Sequence, residues 1–489
     1  MHKQDLEILD KYLFNPRSVA VIGASNTPGT WGSNTMKGLL DAGNRDIYPV
    51  NPNASEIHGL KAYRNIRDIP GPVELAVIVV SDKLVPSVLR ECVSKGVGAA
   101  VIITSGFSET GEEGQRTEAE LVRIAREGNI RFIGPNSMGH TDTYAQLSTF
   151  GQGGKLPTGP VAVLSQSGST CMKIVRNLAE AGIYCSKYIS TGNEADLRME
   201  DYLEYLANDD NTKIIAAYIE GLRDGRRFIK LAQEITAKKP VVVVKVGGTE
   251  ESARAVMSHT GALAGSDAIY TAAFKQSGVI RADDDDELCD IVYALLNSPL
   301  PRGNRVGILS LGGGPGALTA ESCEKEGLTI GTLAPSTIKK LDNFLPARWP
   351  RRNPVDMAGP SVSQFSVAAE LLWPLMEDDN IDTVFLLAPV VIDKTLLASR
   401  MGMNDEQIAA YQEKDKKNLK LIRQKMESLG KPVVLMWQWR GMDKDSEITS
   451  IFNREGMLVY SNARRAARMI SLLTWYNRYR RLRKQSQRG

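Results

Sequence analysis

Short, continuously apolar runs recur along this chain, and most are followed by a glycine-containing turn and then a helical stretch. Ser18-Val-Ala-Val-Ile22 leads into Gly23-Ala-Ser-Asn-Thr-Pro-Gly-Thr-Trp-Gly32 and a helical stretch to about Ala42. Ile47 to Pro52, Leu75 to Val80, Ala99 to Ile103 and Arg131 to Ile133 read as four further strands. A strand that is apolar on both faces needs cover on both, so such strands alternating with helices predict an α/β fold with parallel sheets. In that architecture ligands lie beyond the carboxyl ends of the strands. The turns that follow these runs are therefore where binding residues are expected.

The 489 residues allow roughly three domains. Gly151 to Pro160, rich in Gly and Pro, reads as a linker. Beyond it the chain repeats itself. Val161-Ala-Val-Leu-Ser-Gln-Ser-Gly-Ser169 opens a helix ending near Gly182, and Val306-Gly-Ile-Leu-Ser-Leu-Gly-Gly-Gly314 opens another ending near Gly327. Two successive flavodoxin-like units account for this, with a boundary near Asn297 to Gly303. The expected domains are residues 1–150, 160–298 and 303–475, followed by a basic tail, 476–489, read as the frayed end of a last helix.

Composition narrows the function. Hydrophobic residues are 42% and charged residues 24%, the balance of a soluble globular protein. A net charge of +3 gives no support for nucleic-acid binding. Cys92, Cys171, Cys185, Cys289 and Cys323 are scattered, without the spacing of a disulfide framework or zinc site. With no signal-like N-terminus and no apolar run long enough for a membrane span, a cytoplasmic protein is expected. The acidic run Asp283 to Glu287 reads as the first turn of a helix rather than a metal cluster, so no metal site is assigned. His58 and His140 read as structural.

The turns carry the chemistry. Gly23 to Gly32 suits an anion at a helix N-terminus, but it is not GxGxxG. Asn51-Pro52 closes the second strand where a dinucleotide site would place an acid. An oxidoreductase reading is disfavoured on both counts. Thr104 to Gly111 and Gly134-Pro-Asn-Ser-Met-Gly139 end later strands on the same edge. Ser165-Gln-Ser-Gly168 offers hydroxyls, backbone N–H groups and a helix N-terminus to a phosphoryl group. Glu220, at another strand end, can orient one imidazole nitrogen. His259 lies in Ser258-His-Thr-Gly-Ala-Leu-Ala-Gly265, read as a flexible loop whose imidazole can carry a transferable group. About 18 residues separate Gly247 from Gly265, which caps the reach at roughly 60 Å.

In this order the motifs resemble the α subunit of the NDP-forming acyl-CoA synthetases, which include ADP-forming acetate–CoA ligases and, more distantly, succinyl-CoA synthetase. Pro16 to Ser25, Gly134 to Gly139, Ser165 to Gly168, Ser190-Thr-Gly-Asn-Glu-Ala-Asp-Leu197, Tyr218 to Gly221, Ser258 to Gly265 and Asn353-Pro-Val-Asp356 carry the resemblance. It implies a Rossmann-like CoA-binding first domain, with Gly23, Ser25, Asn51, Val79, Ser105 and Asn136 facing coenzyme A. It implies that His259 takes up phosphate, oriented by Glu220, with Ser165, Ser167 and Gly168 holding the phosphoryl group. The overall reaction would be acyl-CoA, phosphate and NDP interconverting with carboxylic acid, CoA and NTP. A separate ATP-grasp β subunit would bind ATP or ADP with Mg2+, in an α2β2 assembly. Two departures stand out: Ser137 where the family often has Cys, and Ser105 where it often has Ala. A non-catalytic acyl-CoA sensor on the same fold is the alternative, and the intact His259, Glu220 and Ser165 to Gly168 set argues against it.

Overall fold

The computed structural model describes residues 3–486 apart from 44, 152, 153, 261–265, 358–366, 388–397, 399–401 and 437–446. The chain divides into two compact units: residues 1–179 with 183–289, and residues 290–489 with the turn 180–182.

The first unit holds two large sheets. β1 (Ser18–Ile22), β2 (Asp46–Val50), β5 (Leu75–Ile78), β6 (Ala99–Ile102) and β7 (Arg131–Ile133) are all parallel, in the order β2-β1-β5-β6-β7. Between β2 and β5, β3 (Glu56–Ile57) and β4 (Leu60–Lys61) make a separate small hairpin. Side chains alternate across the sheet: Val19 and Val21 enter one apolar cluster, Ala20 and Ile22 the other. Both faces are thus buried, as the unbroken apolar runs require. The strand order reverses between β1 and β5, so the turns after these two strands open onto the crevice where such sheets take ligands.

The second sheet is mixed. β10 (Val161–Ser165), β11 (Cys185–Ser190), β12 (Ile214–Ile219), β13 (Val241–Lys245) and β14 (Ile280–Ala282) are parallel. An antiparallel pair, β8 (Gly139–Asp142) and β9 (Leu147–Ser148), closes its edge beyond β11. These two strands fall within the 1–150 segment expected to be the first domain, yet they belong to the second sheet. Their buried surface is largely polar, which hides them from a reading based on apolar runs. The Thr141 and Ser148 hydroxyls bond each other at 2.9 Å. Buried Lys187 of β11 pairs with Asp142 at 3.1 Å and with Asp209 at 2.9 Å. The hairpin covers an edge that would otherwise be free to pair. In this sheet the order reverses between β10 and β12, placing Ser165 and Glu220 on either side of the switch point.

The second unit is built on β15 (Arg305–Ser310), β16 (Thr329–Ile330), β17 (Val355–Asp356), β18 (Thr383–Leu387), β19 (Val433–Met436) and β20 (Leu458–Tyr460), every pairing parallel. The repeat is visible atom by atom. Ser165 Oγ donates to Ser167 O at 2.6 Å before the helix Gly168–Glu180, and Ser310 Oγ donates to Gly312 O at 2.8 Å before the helix Gly313–Lys325. Asp356 accepts from the Gly312 N–H at 3.0 Å, while Asn353 donates to Val306 O and Gly331 O, both at 2.8 Å. The Asn353 to Asp356 motif thus ties neighbouring strands of the third sheet together.

The basic end of the chain is part of a last helix, as expected, but it is continuous to Ser486 rather than frayed from residue 476. Ala463–Ser486 is one continuous element, and Tyr476 is fully buried. No Gly or Pro interrupts it, and Asn477 donates to Pro301 O at 2.8 Å, anchoring the part expected to fray. The Asp283 to Glu287 run does open a helix, Asp285–Asn297, with Asp284 accepting from the Glu287 N–H at 2.7 Å. His140 is buried with Nε2 2.7 Å from Leu13 O, and His58 Nε2 lies 3.1 Å from Ser33 Oγ. Among the described residues no helix is long and apolar enough to cross a membrane.

Candidate functional site

The first crevice is lined mainly by backbone. Gly23 has φ +92°, and a Cβ there would stand 2.4 Å from Val79 O. Only glycine fits so close an approach. Its N–H donates to Val50 O at 3.0 Å, and the Val79 N–H donates to Ile22 O at 2.8 Å, so three strand ends meet at this point. Ser25 Oγ accepts from the Thr27 N–H at 3.0 Å, and Asn51 Nδ2 donates to Ala24 O at 2.8 Å. The helix Trp31–Ala42 begins directly after this turn, capped by Thr30. Glycine approach, the Ser25 hydroxyl and a helix N-terminus suit a phosphate-bearing ligand.

Further along the same edge, Thr104 Oγ1 donates to Val80 O at 2.7 Å, and Asn136 donates through its backbone to Thr104 O at 2.8 Å. Ser105 is exposed at the rim between them. Gly23, Ser25, Asn51, Val79, Ser105 and Asn136 therefore lie along one edge of one sheet.

The second crevice gathers Ser165, Ser167, Gly168 and Glu220. Ser167 Oγ accepts from Thr170 Oγ1 at 3.0 Å at the first turn of the helix Gly168–Glu180. Gly168 packs closely on Met138: a Cβ there would stand 2.3 Å from the Met138 sulfur, so a larger residue would have to displace that side chain. That contact presses the Gly134 to Gly139 turn against the helix start. Glu220 is only 4% exposed.

Three residues that the sequence reading did not single out organise these turns. Gln166 accepts from the Glu220 N–H at 2.5 Å and the Gly221 N–H at 3.0 Å, and donates to Gly221 O at 2.8 Å. It locks the end of β12 to the end of β10. Lys245 ends β13 with its ammonium 2.8 Å from Glu220 O and 4.3 Å from the Tyr270 ring centre. Burial pushes its pKa down to about 8. Asn193 lies in the Ser190 to Leu197 turn, whose Thr191 N–H donates to Ser165 O at 2.8 Å. A cation closing an otherwise all-valine strand was the one available signal for Lys245. Gln166 and Asn193 sit inside quoted motifs but act across the chain.

The segment around His259, expected as a loop, is helical over Glu250–Thr260. Glu250 and Glu251 sit in its first turn, where acids favour helix, and the Ala253 N–H donates to Thr249 O at 2.8 Å. The His259 side chain and residues 261–265 lie outside the described residues.

Comparison with known proteins agrees with this geometry. Residues 17–142 match a CoA binding domain, and residues 158–295 match a succinyl-CoA ligase like flavodoxin domain. The α subunit of ADP-forming acetate–CoA ligase II from Pyrococcus furiosus is 48% identical over 78% of this chain and 82% of its own length. The chain belongs to the ADP-forming acetate–CoA ligase family. A 4-hydroxybutyrate–CoA ligase, also ADP-forming, from Nitrosopumilus maritimus is 35% identical over 81% of this chain and 60% of its own length. Among solved structures, acetyl-coenzyme A synthetase 1 of Ca. Korarchaeum cryptofilum, in complex with phosphate and ADP, superposes with a TM-score of 0.81 at 32% identity, covering 97% of this chain and 98% of that one. Two of the Pyrococcus furiosus relatives are named as α subunits, a name that implies a separate partner subunit for those proteins.

Gly23→Ala forces a Cβ against Val79 O, and its strained φ costs about 1–3 kcal/mol. CoA affinity, read by calorimetry on the folded variant, is expected to fall at least about tenfold. Unchanged affinity would remove Gly23 from the CoA site.

Proposed function

We propose that this chain binds coenzyme A thioesters in the first crevice and carries phosphate on His259 from the second crevice to a nucleotide on its partner. Phosphate attacks the thioester carbonyl, the C–S bond breaks, and acyl phosphate and CoA result. The His259 imidazole then takes the phosphoryl group and releases the carboxylic acid. Transfer to a nucleoside diphosphate, ADP by the relatives' names, completes the reaction, and the whole sequence runs in reverse to activate an acid. The partner would be an ATP-grasp β subunit holding nucleotide and Mg2+, in an α2β2 assembly acting in the cytoplasm. Relatives named for acetate, 4-hydroxybutyrate and ferulate support a carboxylic acid as the substrate class.

The observation that carries this reading is the joining of Ser165 to Gly168 with Glu220 through Gln166 at the switch point of the second sheet. A phosphoryl group in flight needs position and charge stabilisation. The helix start at Gly168 supplies N–H donors and a positive dipole end. Glu220 supplies a carboxylate that would hydrogen-bond one nitrogen of an imidazole brought to it and so orient the other. Lys245, through the Glu220 carbonyl, holds that strand end in place.

The test is incubation of the chain with radiolabelled phosphate and a panel of acyl-CoA thioesters that includes acetyl-CoA. Acid-labile, base-stable label on the protein is the expected result. Absence of label with every thioester, with and without the partner subunit and despite measured CoA binding, would favour an acyl-CoA sensor.

A further inference from the structure

The Ser190 to Leu197 turn has no part in the scheme above, yet it is densely bonded to its neighbours. It leaves the end of β11 and passes between the turns of the first sheet and the Ser165 turn. Gly192, at φ +61°, would place a Cβ 2.3 Å from Pro135 O, so the two backbones are in direct contact.

Asn193, 4% exposed, stands at the centre. Its N–H donates to Pro135 O at 3.0 Å, and its carbonyl accepts from Arg223 at 2.9 Å. Its side-chain oxygen accepts from Asn136 Nδ2 at 3.3 Å. Its side-chain nitrogen faces Glu109 Oε2 at 2.6 Å, Glu118 Oε2 at 2.9 Å and Ser108 Oγ at 3.1 Å. Glu109 reaches back to the Gly106 N–H at 2.6 Å, and the Ser108 N–H donates to Glu118 at 3.2 Å. Burial opposes ionisation of Glu109, but the hydrogen bonds from Gly106 and Asn193 win and hold it below the usual carboxylate range. One neutral amide therefore fixes two carboxylates, the Gly106 turn and the Asn136 side chain. Through Thr191, its own turn is fixed to Ser165.

We infer that Asn193 is a positioning residue that sets the Ser105 to Glu109 turn and Asn136 in register with the Ser165 turn, so that a thioester and the attacking phosphate meet. This rests on the functional reading above. It makes the step from acyl-CoA to phosphoenzyme sensitive to Asn193, and leaves the exchange of phosphate between His259 and nucleotide insensitive to it.

Asn193→Asp tests this in the complete complex with the partner subunit. The change keeps the size, removes the amide donors and sets a third carboxylate against Glu109 and Glu118. Label from acetyl-CoA and radiolabelled phosphate is expected to slow about ten- to a hundredfold, the effect of a small misplacement of reacting groups. Label from γ-labelled ATP and Mg2+ should stay within about twofold of wild type. Adding Glu109→Gln to Asn193→Asp removes one repelling charge and should recover part of the acyl-CoA route. An equal fall by both routes, no fall by either, or no recovery in the double variant would overturn the proposal. A wild-type complex that labels by neither route would overturn the functional reading, and this proposal with it.

Discussion

His259→Ala is expected to take up no phosphoryl label from acyl-CoA and phosphate, a loss of at least about a thousandfold, while binding CoA as tightly as wild type. The substitution removes the atom that forms the phosphorus–nitrogen bond, and such losses are of the order seen when an enzymic nucleophile is deleted. Glu220→Gln should be milder, with label forming about a hundredfold more slowly, because it keeps the hydrogen-bonding shape and loses only the charge. Affinity for CoA separates these effects from unfolding, since the first crevice is built from other strands. Label of undiminished amount in His259→Ala would place the phosphoryl acceptor elsewhere.

Glu194→Gln is expected to stabilise the chain at alkaline pH and to do little near pH 4.5. Glu194 is 1% exposed, with Oε1 accepting from Thr191 at 2.8 Å and Oε2 without a hydrogen-bond partner among the described residues. Burial, then the nearby charge of buried Glu200, push its pKa from 4.5 up to about 8. The folded chain thus holds a proton that the unfolded chain has released. Stability from this group is fully present below pH 4.5 and declines as pH rises through about 8. A shift of that size corresponds to at most roughly 5 kcal/mol above pH 8. Glutamine has no proton to lose, so denaturant midpoints of variant and wild type should diverge between pH 5 and 9. A gap between them that does not change with pH would contradict this.

What could be read from the sequence followed the reach of each interaction. β5 and β6 are apolar along their length, and β1 and β10 are so apart from one terminal serine each; a strand buried on both faces leaves that trace in its own residues. The Ser165 turn was legible for a similar reason: its key bond spans two residues. Gln166 and Asn193 were not singled out because their partners lie 54 and 85 residues away, where neither period nor spacing reports them. β8 and β9 were missed because Thr141, Asp142 and Ser148 are buried as hydrogen-bonded polar groups rather than as apolar ones. Around His259, glycines at 261 and 265 suggested a loop, while the helix-favouring Glu250 to Met257 run decided the first part.

The contact of Gly192 with Pro135 bears on how the family could be re-engineered. Backbone set against backbone at that spacing leaves no side chain to trim when one partner is replaced. A first domain grafted from a relative with a different acyl preference would therefore bring its own Gly134 to Gly139 turn against a foreign Ser190 to Leu197 turn. The sensible cut for a chimera does not fall in the Gly151 to Pro160 linker, where the chain itself suggests it. It falls after β14, so that both crevices travel together as one heritable cassette.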